Sequence, residues 1–215
     1  MVGGNRVTLF RISTAIVLAM LASAAQSQTL TKPKEFYFDA DATTARRVVV
    51  AQGEGDALAA ELVKMRERGR KSVEATAQLA HVAMSDNRAE LGKSLYEQAL
   101  SSSAANSSIG RAVRWNYAWD LYRNGDFAQA FGVWNELAGG FGSPAWLPPT
   151  MALSLWSLDR KAEAVQWYAA AVRTEPGLWG DPANYARSLP DWRDQDRKRL
   201  AEVHAAWQAD PPAWP

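Results

Sequence analysis

Apolar residues recur at helical spacing along most of the chain beyond residue 55. Leu58, Leu62, Val63 and Met65 form a first stripe, with Asp56 as its cap. The basic run Arg66, Arg68, Arg70 and Lys71, with Gly69, closes it and suits a solvated helix C-terminus. Val73, Ala77, Ala80 and Met84 form a second stripe over residues 72–84, and Ser85-Asp86-Asn87 makes the turn. Leu91, Leu95, Ala99 and Leu100 predict a third helix over 88–101. The pattern continues over 110–123, 126–138, 161–174 and a helix that begins at Pro148 and Pro149 and runs to 158. After Gly177 the rhythm breaks. Asp181-Pro182 starts a short helix through 187, Pro190 interrupts, and a last helix runs from Asp191 or Asp194 to about 208. Residues 43–52 are ambiguous: Val48-Val49-Val50 fits a buried strand or a helical segment, and the helical run that follows favours helix.

Two of these segments repeat each other at a spacing of 34 residues. Gly125 to Ala130 and Asp159 to Ala164 each lead into an apolar helix, and Ala130 aligns with Ala164, Trp134 with Tyr168 and Leu137 with Ala171. Gly92 is the equivalent of Ala130, but 38 residues separate them, and the Ser/Ala/Asn loop over 101–108 accounts for the extra four. A fixed period of this length points to stacked supersecondary units.

These positions resemble the tetratricopeptide repeat. The third unit carries Ala152, Leu155, Ala164, Tyr168, Ala171 and Pro176; the second Ala118, Leu121, Gly125, Ala130, Trp134 and Leu137; the first Leu79, Ala80, Ala89, Tyr96 and Ala99. Gly92 stands where the family favours alanine, which should loosen that contact slightly. The resemblance implies an all-α fold, a right-handed superhelical stack of antiparallel helix hairpins over 56–176 closed by C-terminal capping helices and a tail over 177–215. It also implies a concave face, lined by the first helix of each hairpin, that receives a peptide. Spacing then assigns residues to that face: His81 in the first unit; Trp115, Trp119, Tyr122 and Arg123 in the second; Trp146, Leu153 and Trp156 in the third. The expected groove is therefore strongly aromatic. Aromatic stripes are commonly core, and the chain's own Phe36, Tyr37, Phe38, Trp207 or Trp214 could fill it.

The N-terminus changes the picture of where this happens. Residues 1–11 are short and basic, 12–25 are uncharged and apolar, and Ala22 to Ser27 are small, the pattern of a secretory signal over residues 1–27. An arm over 28–55 follows. Removing residues 1–27 deletes Arg6 and Arg11 and no acid, so 22 basic side chains stand against 23 acidic ones. That balance gives no electrostatic case for nucleic acid. The absence of cysteine excludes a disulfide framework and thiol chemistry, and suits a bacterial periplasm. No later segment is long and apolar enough to span a membrane.

Catalytic constellations are absent from the sequence. His81 and His204 are the only histidines and have no zinc spacing, no Gly-rich loop carries a phosphate-binding lysine, and no GxSxG occurs. The expectation is a non-catalytic, cofactor-free periplasmic scaffold that binds a protein or peptide of the bacterial envelope. Cell-wall glycan binding is the alternative, since the chain's ten tryptophans could stack on sugars; a glycan-cleaving enzyme using two carboxylates is the least supported reading.

Overall fold

A computed structural model describes residues 33, 41, 43–138 and 144–213. The fold is all-α, and no strand forms among the described residues. The helices are α1 (Gly55–Glu67), α2 (Ser72–Ser85), α3 (Ala89–Ser101), α4 (Ser108–Arg123), α5 (Phe127–Ala138), α6 (Leu147–Ser157), α7 (Lys161–Thr174), α8 (Pro176–Trp179), α9 (Tyr185–Ser188) and α10 (Asp194–Ala209), with a 3-10 turn at Pro182–Asn184. The predicted signal segment, Phe36 to Phe38, the loop over 139–143 and Trp214 lie outside the described residues.

Three helix pairs, α2/α3, α4/α5 and α6/α7, pack side by side, and one turn chemistry builds all three. Asn87, Gly125 and Asp159 each adopt positive φ (59°, 91° and 60°) just past the first helix of the pair. The following N–H then reaches back to a carbonyl near the helix end: Arg88 to Ala83, Asp126 to Leu121 and Arg160 to Leu155, each at 2.9 Å. This closure caps the last turn and reverses the chain. Small residues set how closely the paired helices approach. Ala80, Ala118, Ala130, Ala152 and Ala164 are fully buried, and Trp134, Tyr96, Tyr168 and Leu155 fill the spaces around them.

Several expectations need correction. Residues 43–52 are not helical; they form turns and bends lying against α2 and α4, because their main-chain groups find side-chain partners there. Asp56 sits in the first turn of α1, and Glu54 occupies the cap position. Val63 and Leu91 are 41% and 48% exposed, so neither belongs to a core stripe. α7 ends at Thr174 as expected; Pro176 then opens the short helix α8, whose last residue Trp179 is core, as is Trp192 after α9. His204 is buried in the cap, 3.2 Å from the Gly180 carbonyl.

The capping helix α10 packs on α6 and α7 through fully buried Leu200 and Val203. Arg199 on α10 donates to Tyr122 Oη (3.1 Å) and Ser157 Oγ (3.3 Å), joining the cap to α4 and α6. Tyr168 and Tyr185 are joined hydroxyl to hydroxyl, and Tyr168 donates to the Trp179 carbonyl. Burial pushes the Tyr168 phenol up to about 12, so this tie stays protonated at neutral pH.

Gly92 does not loosen its contact. A Cβ there would lie 2.5 Å from Met84 Cγ and 3.0 Å from the Ala80 carbonyl oxygen, so the missing methyl lets α3 approach α2 more closely. Gly92→Ala is therefore expected to destabilise the protein by roughly 1 kcal/mol despite the better helix propensity of alanine, because overpacking outweighs it. Urea unfolding of the two proteins checks this; a stabilised variant would show that Met84 yields freely.

Candidate functional site

The faces that α2 and α4 turn to one another's side of the molecule have the same register. On α2 they are Ala77, Gln78, His81, Val82 and Ser85; on α4 they are Trp115, Asn116, Trp119, Asp120 and Arg123. Each set follows the i, i+1, i+4, i+5, i+8 spacing of a single helix face. Together they floor a cleft of about 980 Å³. Residues 45–55 form one wall, segments of 175–192 form the other, and Trp146 and Pro149 close the end beside α6.

The first wall is held by carboxamides. Gln78 Oε1 accepts from the Val50 and Ala51 amides (2.7 and 3.1 Å), and its Nε2 donates to the Ala51 carbonyl (2.7 Å). Asn116 Nδ2 donates to the Arg46 carbonyl (2.8 Å), and Asn116 Oδ1 faces the Val48 amide (3.4 Å). Arg111 donates to Thr44 Oγ1 (2.9 Å), and Val48 is buried against the small residues of α2. An irregular segment with turns and bends thus runs across the helices, held through its peptide groups. Its start is fixed where Trp146 Nε1 donates to Asp41 (3.2 Å).

Aromatic rings form a continuous series along the floor. Trp146 lies 4.7 Å from Trp115, Trp115 lies 5.9 Å from Trp119, and Trp119 lies 4.9 Å from Trp192 of the opposite wall, ring centre to ring centre. Trp119 and Trp192 are buried, so they offer edges more than faces.

Beside them lies a buried carboxylate. Asp120 is 5% exposed; it accepts from Tyr96 Oη (2.6 Å) and faces His81 Nδ1 (2.9 Å). Burial first, and then the charge of Asp120, push the Tyr96 phenol well above its usual range, so it remains a donor. His81 meets this carboxylate through Nδ1, and its ring lines the cleft. Arg123 lies one turn beyond Asp120 and stacks on Trp119 with 5.1 Å from guanidinium carbon to ring centre.

The eight residues assigned to the face by spacing therefore divide. His81, Trp115, Trp119, Arg123 and Trp146 line the cleft. Tyr122, Leu153 and Trp156 do not. Leu153 is fully buried, Tyr122 is buried and bonded to Ser157, and Trp156 donates to Glu202 of α10 (2.9 Å) with the Lys161 ammonium over its ring. The reason is the cap: α10 covers the face of α6 that the repeat pattern would leave open. Gln78, Asn116, Asp120, Trp179, Ser188 and Trp192 were not assigned by spacing. One signal pointed to two of them: Gln78 and Asn116 are separated by the same 38 residues as Gly92 and Ala130.

Family models, curated proteins and solved structures contain no match to this chain. Among the described residues no cluster of His, Asp or Glu side chains has a metal-binding arrangement, and no helix is long and apolar enough to cross a membrane.

Asp41 makes the first wall sensitive to acid. Burial alone would raise its carboxyl, but hydrogen bonds from Thr44, Trp146 and Thr43 outweigh it and hold the group well below the usual carboxylate range. The folded value is the lower one, so the latch contributes fully above the unfolded carboxyl value of about 3.9 and is lost as pH falls from there through the native value. The Trp146 indole N–H is expected to lose exchange protection over that acid range and, in Asp41→Ala, to lack it already at neutral pH. Indole proton exchange by NMR checks both; protection unchanged in the variant would show that Asp41 does not hold the segment.

Proposed function

We propose that this chain is a non-catalytic scaffold of tetratricopeptide type, whose hairpins form a right-handed superhelical stack and whose first helices bind an extended peptide or protein segment. Its work is in the bacterial periplasm after removal of residues 1–27, on a partner of the envelope. The observation that carries the reading is the seated segment over 44–51. Two carboxamides on neighbouring helices, Gln78 and Asn116, meet main-chain N–H and C=O groups of a non-helical segment, while one β-branched side chain, Val48, is buried in the apolar cluster that holds Ala77, Ala80 and Ala112. That is the recognition of a peptide backbone, with side-chain pockets secondary, and it does not depend on the segment being covalently attached. α4 and the start of α6 leave the aromatic, half-buried residues Trp115 and Trp146 along the remaining cleft, residue types that dominate protein interfaces. Glycan binding draws less support, because Trp119 and Trp192 are packed on one another and present little open ring face.

The test uses the full chain with a protease site replacing Gly53-Glu54-Gly55. After cleavage, a fluorescein-labelled peptide copying residues 41–52 is titrated in, with a muramyl tripeptide as comparison. Exchange into the groove with saturable polarisation, weakened about tenfold by Gln78→Ala, is expected, since several buried hydrogen bonds are lost together. A flat titration with the peptide and a saturable one with the muramyl compound would replace this reading with glycan binding.

A further inference from the structure

The cleft has one end that is short of negative charge. Arg123 is part-buried, yet among the described residues its guanidinium has no carboxylate partner. Nη2 donates to a neutral acceptor, the Asp191 carbonyl (3.2 Å), and Nε is buried with no partner at all. The nearest acid on the same face, Asp120, is taken up by Tyr96 and His81. Across the cleft the Ser188 hydroxyl is also buried without a partner. Water can satisfy an orphaned donor, but it cannot neutralise a guanidinium withdrawn from solvent. The surroundings worsen the imbalance. Burial first and the neighbouring Arg193 next, with a further push from Arg47, lower the Arg123 pKa, against partial relief from Asp120 and Asp196. Arg47 lines the same cleft, is exposed, and makes no ion pair among the described residues.

We propose that Arg123 and Ser188, bordered by Trp119 and Trp192, form a subsite for a single carboxylate of the bound segment. Guanidinium and carboxylate match in charge and in planar geometry, and Ser188 supplies a further donor from the opposite wall. Trp119 holds the guanidinium plane in place, so little ordering is left for the ligand to impose. One carboxylate fits and a run of them does not, because Asp191 already borders the subsite and Glu54, Asp86 and Glu175 line the rest of the cleft. The proposal rests on the peptide reading only for what carries the carboxylate, a C-terminus or an Asp or Glu side chain.

The experiment is NMR on the full, 15N-labelled chain, following the Arg123 Nε–H and Trp119 indole N–H signals. Acetate is titrated first against chloride at matched ionic strength. Saturable shifts with acetate alone are expected, weakened about tenfold by Arg123→Gln and about threefold by Ser188→Ala. Arg123→Lys, which keeps the charge, should recover part of the loss and serves where the Gln variant fails to fold. Three capped peptides follow: Ac-Val-Val-Ala with a free carboxylate, Ac-Val-Asp-Ala amide, and Ac-Val-Val-Ala amide. Tighter binding of the first alone assigns a chain terminus; tighter binding of the second as well admits an acidic side chain. If acetate binds but no peptide binds more tightly than acetate, the subsite stands and the peptide reading falls. Acetate shifts no larger than those of chloride, or full retention in Arg123→Gln, would overturn the subsite.

Discussion

The structure depends on helices being allowed to touch. At the crossing of each hairpin stand residues with almost no side chain: Ala80 with Gly92, Ala118 with Ala130, Ala152 with Ala164. Close approach there brings the large residues, Tyr96, Trp134 and Tyr168, into full burial between hairpins, where each contributes on the order of 1.5–3 kcal/mol. It also fixes the rotation of each first helix. Once Ala80 and Ala118 face inward, Gln78, His81, Asn116 and Asp120 turn toward one shared cleft, and no further device is needed to assemble it.

The cleft is then narrowed by the chain itself from both ends. The C-terminal helices close over the third hairpin and take Leu153 and Trp156 of that hairpin and Tyr122 of the second out of the expected face, while the segment after Asp41 occupies the groove of the first two. What stays open is the strip between them, where the aromatic series, the Tyr96–Asp120–His81 network and Arg123 come together. Some of its polar groups are oriented by a neighbour: Tyr96 and His81 share one carboxylate, and Trp119 supports one guanidinium. A site with locked side chains loses less on binding than one that must be ordered by its ligand.

Much of this was legible in the sequence, for identifiable reasons. Helix periodicity and turn residues are local, so the hairpin helices fall within a few residues of their expected bounds, and α7 matches residue for residue. The packing alanines follow from the repeat. The groove segment was misjudged because Val48-Val49-Val50 carries no local signal of its fate. Its hydrogen-bond partners are 28 and 68 residues away, on Gln78 and Asn116. The fate of Trp156 was hidden in the same way, since nothing near it in the chain announces Glu202. Gly92 misled for a different cause: a missing methyl reads as a lost contact in sequence and acts as a spacer removed in space.

Because the segment over 44–51 is tethered through a loop of only a few residues, it acts on its own groove as a ligand at an effective concentration in the millimolar range. On the proposed peptide reading, an incoming chain does not meet an empty surface; it enters an exchange. If the tethered segment binds with an intrinsic constant of about 10 μM, the apparent affinity of any competitor for the same ground is lowered by roughly a hundredfold. On that reading, weak and casual encounters with other chains are filtered out. Only a segment that also gains contacts in the open strip, outside the tethered segment's footprint, has the surplus to enter. Under the proposed function, discrimination is set less by how well the groove holds peptides in general than by how much a newcomer has that the resident lacks.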